Sequence, residues 1–386
     1  MKFSQILNEY ASYQKLINSL DNTPISVCGI EEPSQAHLVY TLKENKGVSS
    51  LVICYSDIEA RAFADMVSTY TNDCEVFLSK EYVFYNIETI ARTNTNQRIR
   101  AFSSLINARG KIIVTSLDAI LQYSANVEEF KNNTITFKQG EAFEIDELSK
   151  RLVYMGYSRE EIVEGVGQFA IRGGIVDIYP PDMDTPVRIE FFDNETDLIR
   201  SFDPYSQRST DNLDEVKIIP AREMLVDDNK KSVIEKEIKK RIENAKKQGE
   251  DGEHIVSLLN QELEALNEKT YFPSLDKYVN LVYDEIPTIL DCLFDDDFVF
   301  IVDPKRIEDR VKTFEWEKGE IITELLNKGI MGKGNNELFL TYEDYLKKIN
   351  KKKIIALEIL THTSNDIKYK ELISFTTKST ISFHGK

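Results

Sequence analysis

The chain has 386 residues, 41% hydrophobic and 29% charged, enough to bury a core and to divide into roughly two or three domains of about 100 to 200 residues each. Its net charge of −17 argues against nonspecific nucleic-acid holding as a main task, because phosphate neutralisation needs clustered lysine and arginine. No apolar run approaches the ~18 to 20 residues of a membrane span, and the opening stretch MKFSQILNEYASYQKL lacks a cationic and apolar secretion pattern, so no membrane contact and a cytoplasmic location are expected.

From residue 25 to about 120, short apolar strands alternate with helical segments: ISVCGI, QAHLVYTLKEN, SSLVICYS, IEARAFADMVSTY, CEVFLS, NQRIRAFSSLINA and GKIIVTSLDAILQ. Continuous apolar strands between 10- to 15-residue helices are the pattern of buried parallel strands in a doubly wound α/β sheet. From 126 to 222 the texture changes to one helical piece, EIDELSKRLVYMG, followed by a strand-rich block with turn signals at Gly173-Gly174, Pro180-Pro181 and Asp193-Asn194. This predicts a smaller α+β domain, an antiparallel meander with a helix on one face. Charged helices follow at about 228 to 268, read as a solvated helical arm, before strand and helix alternation resumes in FVFIVDPKRI and KKKIIALEIL. The predicted organisation is thus an α/β lobe split in sequence, 1–125 and 223–386, with the domain 126–222 inserted between its parts.

The loop after the first strand has the position of a phosphate-binding loop without its chemistry. Counted from Gly29, the pattern G-x-x-x-x-G-K-[ST] meets Ser34, Gln35 and Ala36 where glycine, lysine and a hydroxyl belong, and Glu31 and Glu32 add negative charge. The bland reading is an ordinary strand-to-helix turn with Ser34 as the helix cap. The second nucleotide motif would end an apolar strand in Asp-Glu; here Asp303 is followed by Pro304, and a strand-end aspartate is more often a cap or turn former. The run Asp295, Asp296 and Asp297 is expected to be a solvated loop and not a metal cluster, and the four cysteines show no ligand spacing, so neither a metal nor a bound cofactor is expected.

The block GQFAIRGGIVDIYPPDMDTPVRIEFFDNETDLIRSFDPYSQRS resembles the bacterial transcription-repair coupling factors, the Mfd family, and more distantly domain 2 of the excision-repair protein UvrB. GKIIVTSLDAILQ, VKIIPAREML, TILDCLF and FVFIVDPKRI extend that resemblance along the chain. The resemblance implies a UvrB-like arrangement, a degenerate P-loop or helicase-like lobe carrying an inserted domain. UvrB's tyrosine-rich DNA-gripping hairpin would fall between about 80 and 95, where this sequence offers Tyr82 and Tyr85 and too few residues, which favours the coupling factors. On this basis the chain is expected to be the N-terminal portion of such a protein. The RNA-polymerase-binding domain, the ATP- and Mg-dependent double-stranded DNA motor and the C-terminal domain would then lie outside it.

In the family the inserted domain recruits UvrA, and the matching residues here are Arg172, Arg188, Glu190 and Phe192, with Arg159 carried over by spacing; UvrB has an arginine where this chain has Ala170. Strand alternation supports a surface independently: Val187, Ile189 and Phe191 share one face, and Arg188, Glu190 and Phe192 the other, with Arg200 extending the strip. An exposed aromatic flanked by arginine suits a binding hot spot, whereas a solvated face with a cross-strand Arg-Glu pair is the bland alternative. The expected function is a noncatalytic module that recruits UvrA to stalled RNA polymerase, masked in the complete protein by the C-terminal domain. The rival is a UvrB-like or helicase-like ATPase acting on damaged DNA, and a scaffolding role is a third reading compatible with the first.

Overall fold

The computed structural model describes residues 3–81, 93–143, 145–247, 249–269, 273–327, 331, 338–360 and 366–377. Tyr82 and Tyr85 lie outside the described residues. In chain order the strands among them are β1 (Ile25–Cys28), β2 (Ser50–Cys54), β3 (Cys74–Phe77), β4 (Ile112–Ser116), β5 (Ile135–Lys138), β6 (Ser158–Arg159), β7 (Gln168–Arg172), β8 (Ile175–Ile178), β9 (Val187–Phe192), β10 (Glu195–Phe202), β11 (Ser209–Leu213), β12 (Glu215–Ile218), β13 (Phe298–Val302), β14 (Lys353–Glu358) and β15 (Glu371–Ser374).

Seven of these form one parallel sheet in the order β15-β1-β14-β13-β2-β4-β3. Because successive side chains leave a strand on opposite faces, the apolar runs feed two cores. Leu51, Ile53 and Val299 belong to one cluster, Val52, Cys54 and Phe300 to the other. Helices Glu32–Lys46 and Asp57–Ser68 cover one face through Ala36, Leu38, Phe63 and Val67, and helices Thr93–Asn107 and Pro304–Asn327 cover the other through Ile99, Phe102, Ile307 and Val311. This is the doubly wound α/β arrangement expected from the sequence, and its strands come from both sides of the β5 to β12 stretch.

That stretch forms two antiparallel-type sheets. β5 and β12 pair where the chain departs and returns, Ile135 opposite Ile218. Between them β11-β10-β9-β8-β7-β6 build a six-stranded sheet, antiparallel except for the short parallel edge pair β6 and β7. Helix Ile145–Tyr154 packs on one face through Leu148 and Leu152, against Phe169, Val176, Val187 and Ile189. The opposite face carries a small cluster of its own, Val163, Ala170 and Phe202.

Two expectations are corrected. The charged helices Asp228–Lys246 and Glu250–Lys269 are not a solvated arm: Ile234, Ile238, Ile242, Leu259 and Leu266 bury a stripe in the main core. Helical spacing concentrates these few apolar residues on one side, so high charge density conceals a buried face. Within it Glu262 accepts hydrogen bonds from Lys277 Nζ at 2.5 Å, Ser274 Oγ at 2.6 Å and Tyr278 Oη at 2.7 Å. The run Asp295 to Asp297 is likewise not simply solvated. Asp297 is fully buried and accepts from the backbone amides of Ser49 and Phe294, while Arg109 reaches Asp296 at 2.5 Å.

A buried ionic cluster fastens the small unit's return to the parallel sheet. The Glu223 carboxylate accepts from Arg98 Nε at 2.9 Å and Lys80 Nζ at 2.8 Å. Arg98, 0% exposed, also donates to the backbone carbonyls of Leu78 and Tyr123 at 2.8 Å each. Burial alone would raise the Glu223 carboxyl, but Arg98 and Lys80 outweigh it and hold the group below its ordinary value. A carboxyl depressed in the folded state contributes stability above its unfolded value of about 4.3, lost as pH falls through the lower folded value. Glu223→Gln is therefore expected to cost about 3 to 5 kcal/mol at pH 7, by removing the carboxylate that pairs with fully buried Arg98, while Lys80 keeps Asp276 at 3.1 Å. Urea denaturation at pH 7 and again below pH 4 checks this: the gap between variant and wild type should shrink in acid.

Candidate functional site

The open face of the six-stranded sheet is organised by register. Arg188 on β9 lies opposite Asp177 on β8 and Arg200 on β10, while Glu190 lies opposite Ile175 and Leu198. Directly paired residues share a face, so these side chains converge with Arg172 and Phe192, and the core residues Val187 and Ile189 point the other way.

Asp177 is the centre of this face. Although 0% exposed, it accepts from Arg188 Nε at 2.7 Å and Nη2 at 2.9 Å, and from Arg172 Nη2 at 2.5 Å. The Arg188 side chain is only 15% exposed, its guanidinium 4.7 Å from the Phe202 ring centre and also donating to the Gln207 carbonyl at 3.2 Å. Hydrogen bonding to Asp177 raises its already high pKa further, so it is a fixed charge. Arg200 turns from Arg188, which it faces, to pair with Glu190. What remains for a partner is Phe192, 78% exposed, Arg172, whose side chain is 47% exposed, and Ile175 at 36%.

Four of the residues singled out in the sequence, Arg172, Arg188, Glu190 and Phe192, thus share one face; Arg159 does not join them. It is exposed on the edge strand β6, in register with Phe169, whose ring lies in the core, so its side chain leaves on the opposite parity. Ala170, 1% exposed, packs with Val163 and Phe202, which leaves no room for the arginine of UvrB. Asp177 escaped the sequence reading, although an acid inside the apolar run GIVDIY was the available signal.

The phosphate-loop position is closed by the chain itself. The amides of Gly29 and Ile30 donate to the carbonyls of Ile359 and Glu358 at 3.2 and 3.5 Å, and that of Glu31 to Thr377 Oγ1 at 3.1 Å. Gly29 has φ +73°, and a Cβ there would lie 2.2 Å from the Phe375 carbonyl oxygen, so glycine is demanded by close backbone approach. Ser34 is not the helix cap: helix Glu32–Lys46 begins after Glu31, with Ser34 and Ala36 already inside it and Pro33 in its first turn. Gln35 is buried, its Nε2 donating to the Ile30 carbonyl at 2.9 Å. Asp303, at φ +51°, makes the turn from β13 into the helix that opens at Pro304, its Oδ1 accepting from the Arg306 amide at 3.4 Å. Between these motifs lies a cavity of about 50 Å3, against the ~300 to 1,000 Å3 of ordinary ligand pockets. Among the described residues no group of three or more His, Cys, Asp or Glu is placed to hold a metal ion, and no helix is long and apolar enough to cross a membrane.

Residues 135–224, which contain the open sheet face, match the UvrB interaction domain family. Over 98% of its length the chain is 27% identical to the transcription-repair-coupling factor of Staphylococcus epidermidis, and over 99% it is 27% identical to that of Staphylococcus haemolyticus. The chain is related to the transcription-repair coupling factors. A Staphylococcus aureus coupling factor is 28% identical over 84% of the chain. The chain spans about a third of the length of these coupling factors, 32% for S. epidermidis, 33% for S. haemolyticus and 27% for S. aureus. The mixed α/β architecture, a parallel sheet beside separate antiparallel sheets, accords with a UvrB-like arrangement in this coupling-factor relative.

The geometry separates residues that build the face from those that only display it. Asp177→Ala is expected to destabilise by about 3 to 5 kcal/mol, because it strands the buried Arg188, whereas Phe192→Ala should stay within about 0.5 kcal/mol of wild type. Gly29→Ala should cost at least ~1 to 3 kcal/mol from backbone strain, before the clash with Phe375 is counted. Chemical denaturation of the three variants measures all of these; equal stability of Asp177→Ala and Phe192→Ala would contradict the assignment.

Proposed function

We propose that this chain is a noncatalytic recruitment module that presents the outer face of the β6–β11 sheet to UvrA. The observation that carries the reading is the exposure of Phe192 and Arg172 beside Ile175 on that face, inside the segment matching the UvrB interaction domain. An aromatic and a positioned arginine on a rigid sheet have the composition of a hot spot. Arg188 and Glu190 hold the face in shape, and Arg159, on the opposite parity, is left out of it.

Under this reading 126–222 is the inserted docking domain and 1–125 with 223–386 the lobe that carries it, in the cytoplasm. In a complete coupling factor the C-terminal domain would mask the face until the motor engages a stalled polymerase; RNA polymerase and duplex DNA, with ATP and Mg, would be handled by other parts. The engaged amides of Gly29, Ile30 and Glu31 and the acidic surroundings support a lobe that binds no nucleotide, against the UvrB-like ATPase reading.

Titration calorimetry of the chain into UvrA tests this. Arg172→Ala, which leaves Arg188 to pair with Asp177, and Phe192→Ala should each weaken binding at least tenfold, about 1.4 kcal/mol, with unchanged circular dichroism. Arg188→Glu is the wrong probe, since a second carboxylate against buried Asp177 would damage the fold. Wild-type affinity in both surface variants would sink the proposal. A fluorescent ATP analogue is expected to show no saturable binding below millimolar concentration; micromolar binding would restore the ATPase reading.

A further inference from the structure

The small cavity at the carboxyl ends of β2, β13 and β14 is lined by acidic and apolar side chains together. In a nucleotide fold this place gathers donors for phosphate. Here the loop's donors are spent on the chain's own carbonyls and hydroxyl, and the lining sets the acceptors of Glu32, Gln35, Glu59 and Asp303 beside an apolar wall that includes Phe63, Met66 and Leu357. Gln35, only 2% exposed, lines the cavity; its Nε2 is held by Ile30, and its Oε1 has no hydrogen-bond partner among the described residues. Glu32, Glu59 and Asp303 share the lining, with Glu59 accepting from the Tyr55 hydroxyl at 3.1 Å.

Against these three carboxylates the lining holds one cation, Arg306, whose guanidinium lies over the Tyr55 ring, 3.6 Å from its centre. The positive end of helix Glu32–Lys46 would favour an anion, but Glu32 in its first turn offsets that field. A buried acceptor without a donor is costly, and a charged donor answers both the amide oxygen and the carboxylates.

We propose that this cavity receives the ammonium group of a lysine, presented by an aliphatic segment of a partner protein. The size selects the group: about 50 Å3 admits a compact ammonium with three donors better than a planar guanidinium. The rim selects the carrier. Ile359, 44% exposed, lines the cavity with Met66, Val302 and Leu357, and these give apolar purchase for residues beside the lysine. The net charge of −17 would steer a basic segment toward the chain. This site is separate from the sheet face of β6–β11 and does not depend on the UvrA reading.

The test is a methyl-NMR titration of the whole chain with the peptide acetyl-Leu-Lys-Leu-amide. Saturable shifts are expected at Met66, Leu357 and Ile359. The glutamine analogue, acetyl-Leu-Gln-Leu-amide, and n-butylammonium chloride should each bind at least tenfold more weakly. Gln35→Leu, and independently the more peripheral Glu59→Gln, should each weaken the lysine peptide at least threefold. Equal binding of the lysine and glutamine peptides, or affinity unchanged in both variants, would overturn the cation assignment. Butylammonium binding as tightly as the peptide would overturn the docking of a protein segment.

Discussion

Glu223 carries the mechanical continuity of the molecule. It lies just beyond β12, where the chain leaves the small sheet, and its carboxylate reaches Arg98 and Lys80, residues of the parallel lobe. The same arginine gathers the carbonyls of Leu78 and Tyr123, so one buried cation ties the exit of β3, the stretch after β4 and the returning chain. A second fastening, Arg100 to Asp184 at 2.6 Å and Ser103 to Asp182 at 3.1 Å, joins helix Thr93–Asn107 to the turn before β9. Two sheets of different construction are thereby held in a defined relation by buried and half-buried charges, with Asp276 as a second carboxylate for Lys80 at 3.1 Å. Ionic junctions of this kind specify geometry more than they add stability, since their desolvation is costly.

The open sheet face uses the same device on a smaller scale. Its arginines are not a loose positive patch. Asp177 fixes the planes of Arg172 and Arg188, Glu190 draws Arg200 aside, and the like charges of Arg188 and Arg200 tolerate their opposition because each has its own carboxylate. A partner meeting this face encounters side chains already ordered, so little rotamer freedom is lost on contact. The distinction between residues that shape the face and residues exposed on it is therefore physical, set by burial.

Much of this organisation could be read from the amino-acid order. Apolar runs in β1, β2, β4 and β13 announced a parallel sheet because strands covered on both faces need no alternation, and the two-residue period of VRIEFF separated core from surface before any coordinates. Tertiary partners could not be read. Asp177 matters because Arg188 lies opposite it, eleven positions away on the next strand, and Gln35 is held by a carbonyl that the motif comparison ignores. The helices after Asp228 were misjudged for a related reason: charge was counted over the whole segment, while burial is decided by Ile234, Ile238 and Ile242 on one side of it. Arg159 shows the limit of spacing, since a one-residue parity difference sends a side chain to the other face.

The closed loop at Gly29 limits what substitution could build there. Had only side chains changed, restoring glycine, lysine and threonine at positions 34 to 36 would rebuild a phosphate cradle. The backbone stands in the way as well: its amides are bound to the stretch after β14 and to Thr377, and the Phe375 carbonyl lies against Gly29. Reversion would demand concerted displacement of an edge strand that is itself paired with β1. Side-chain replacement at 34 to 36 would therefore leave the amides of Gly29, Ile30 and Glu31 engaged, because what holds them is the pairing of the neighbouring strands.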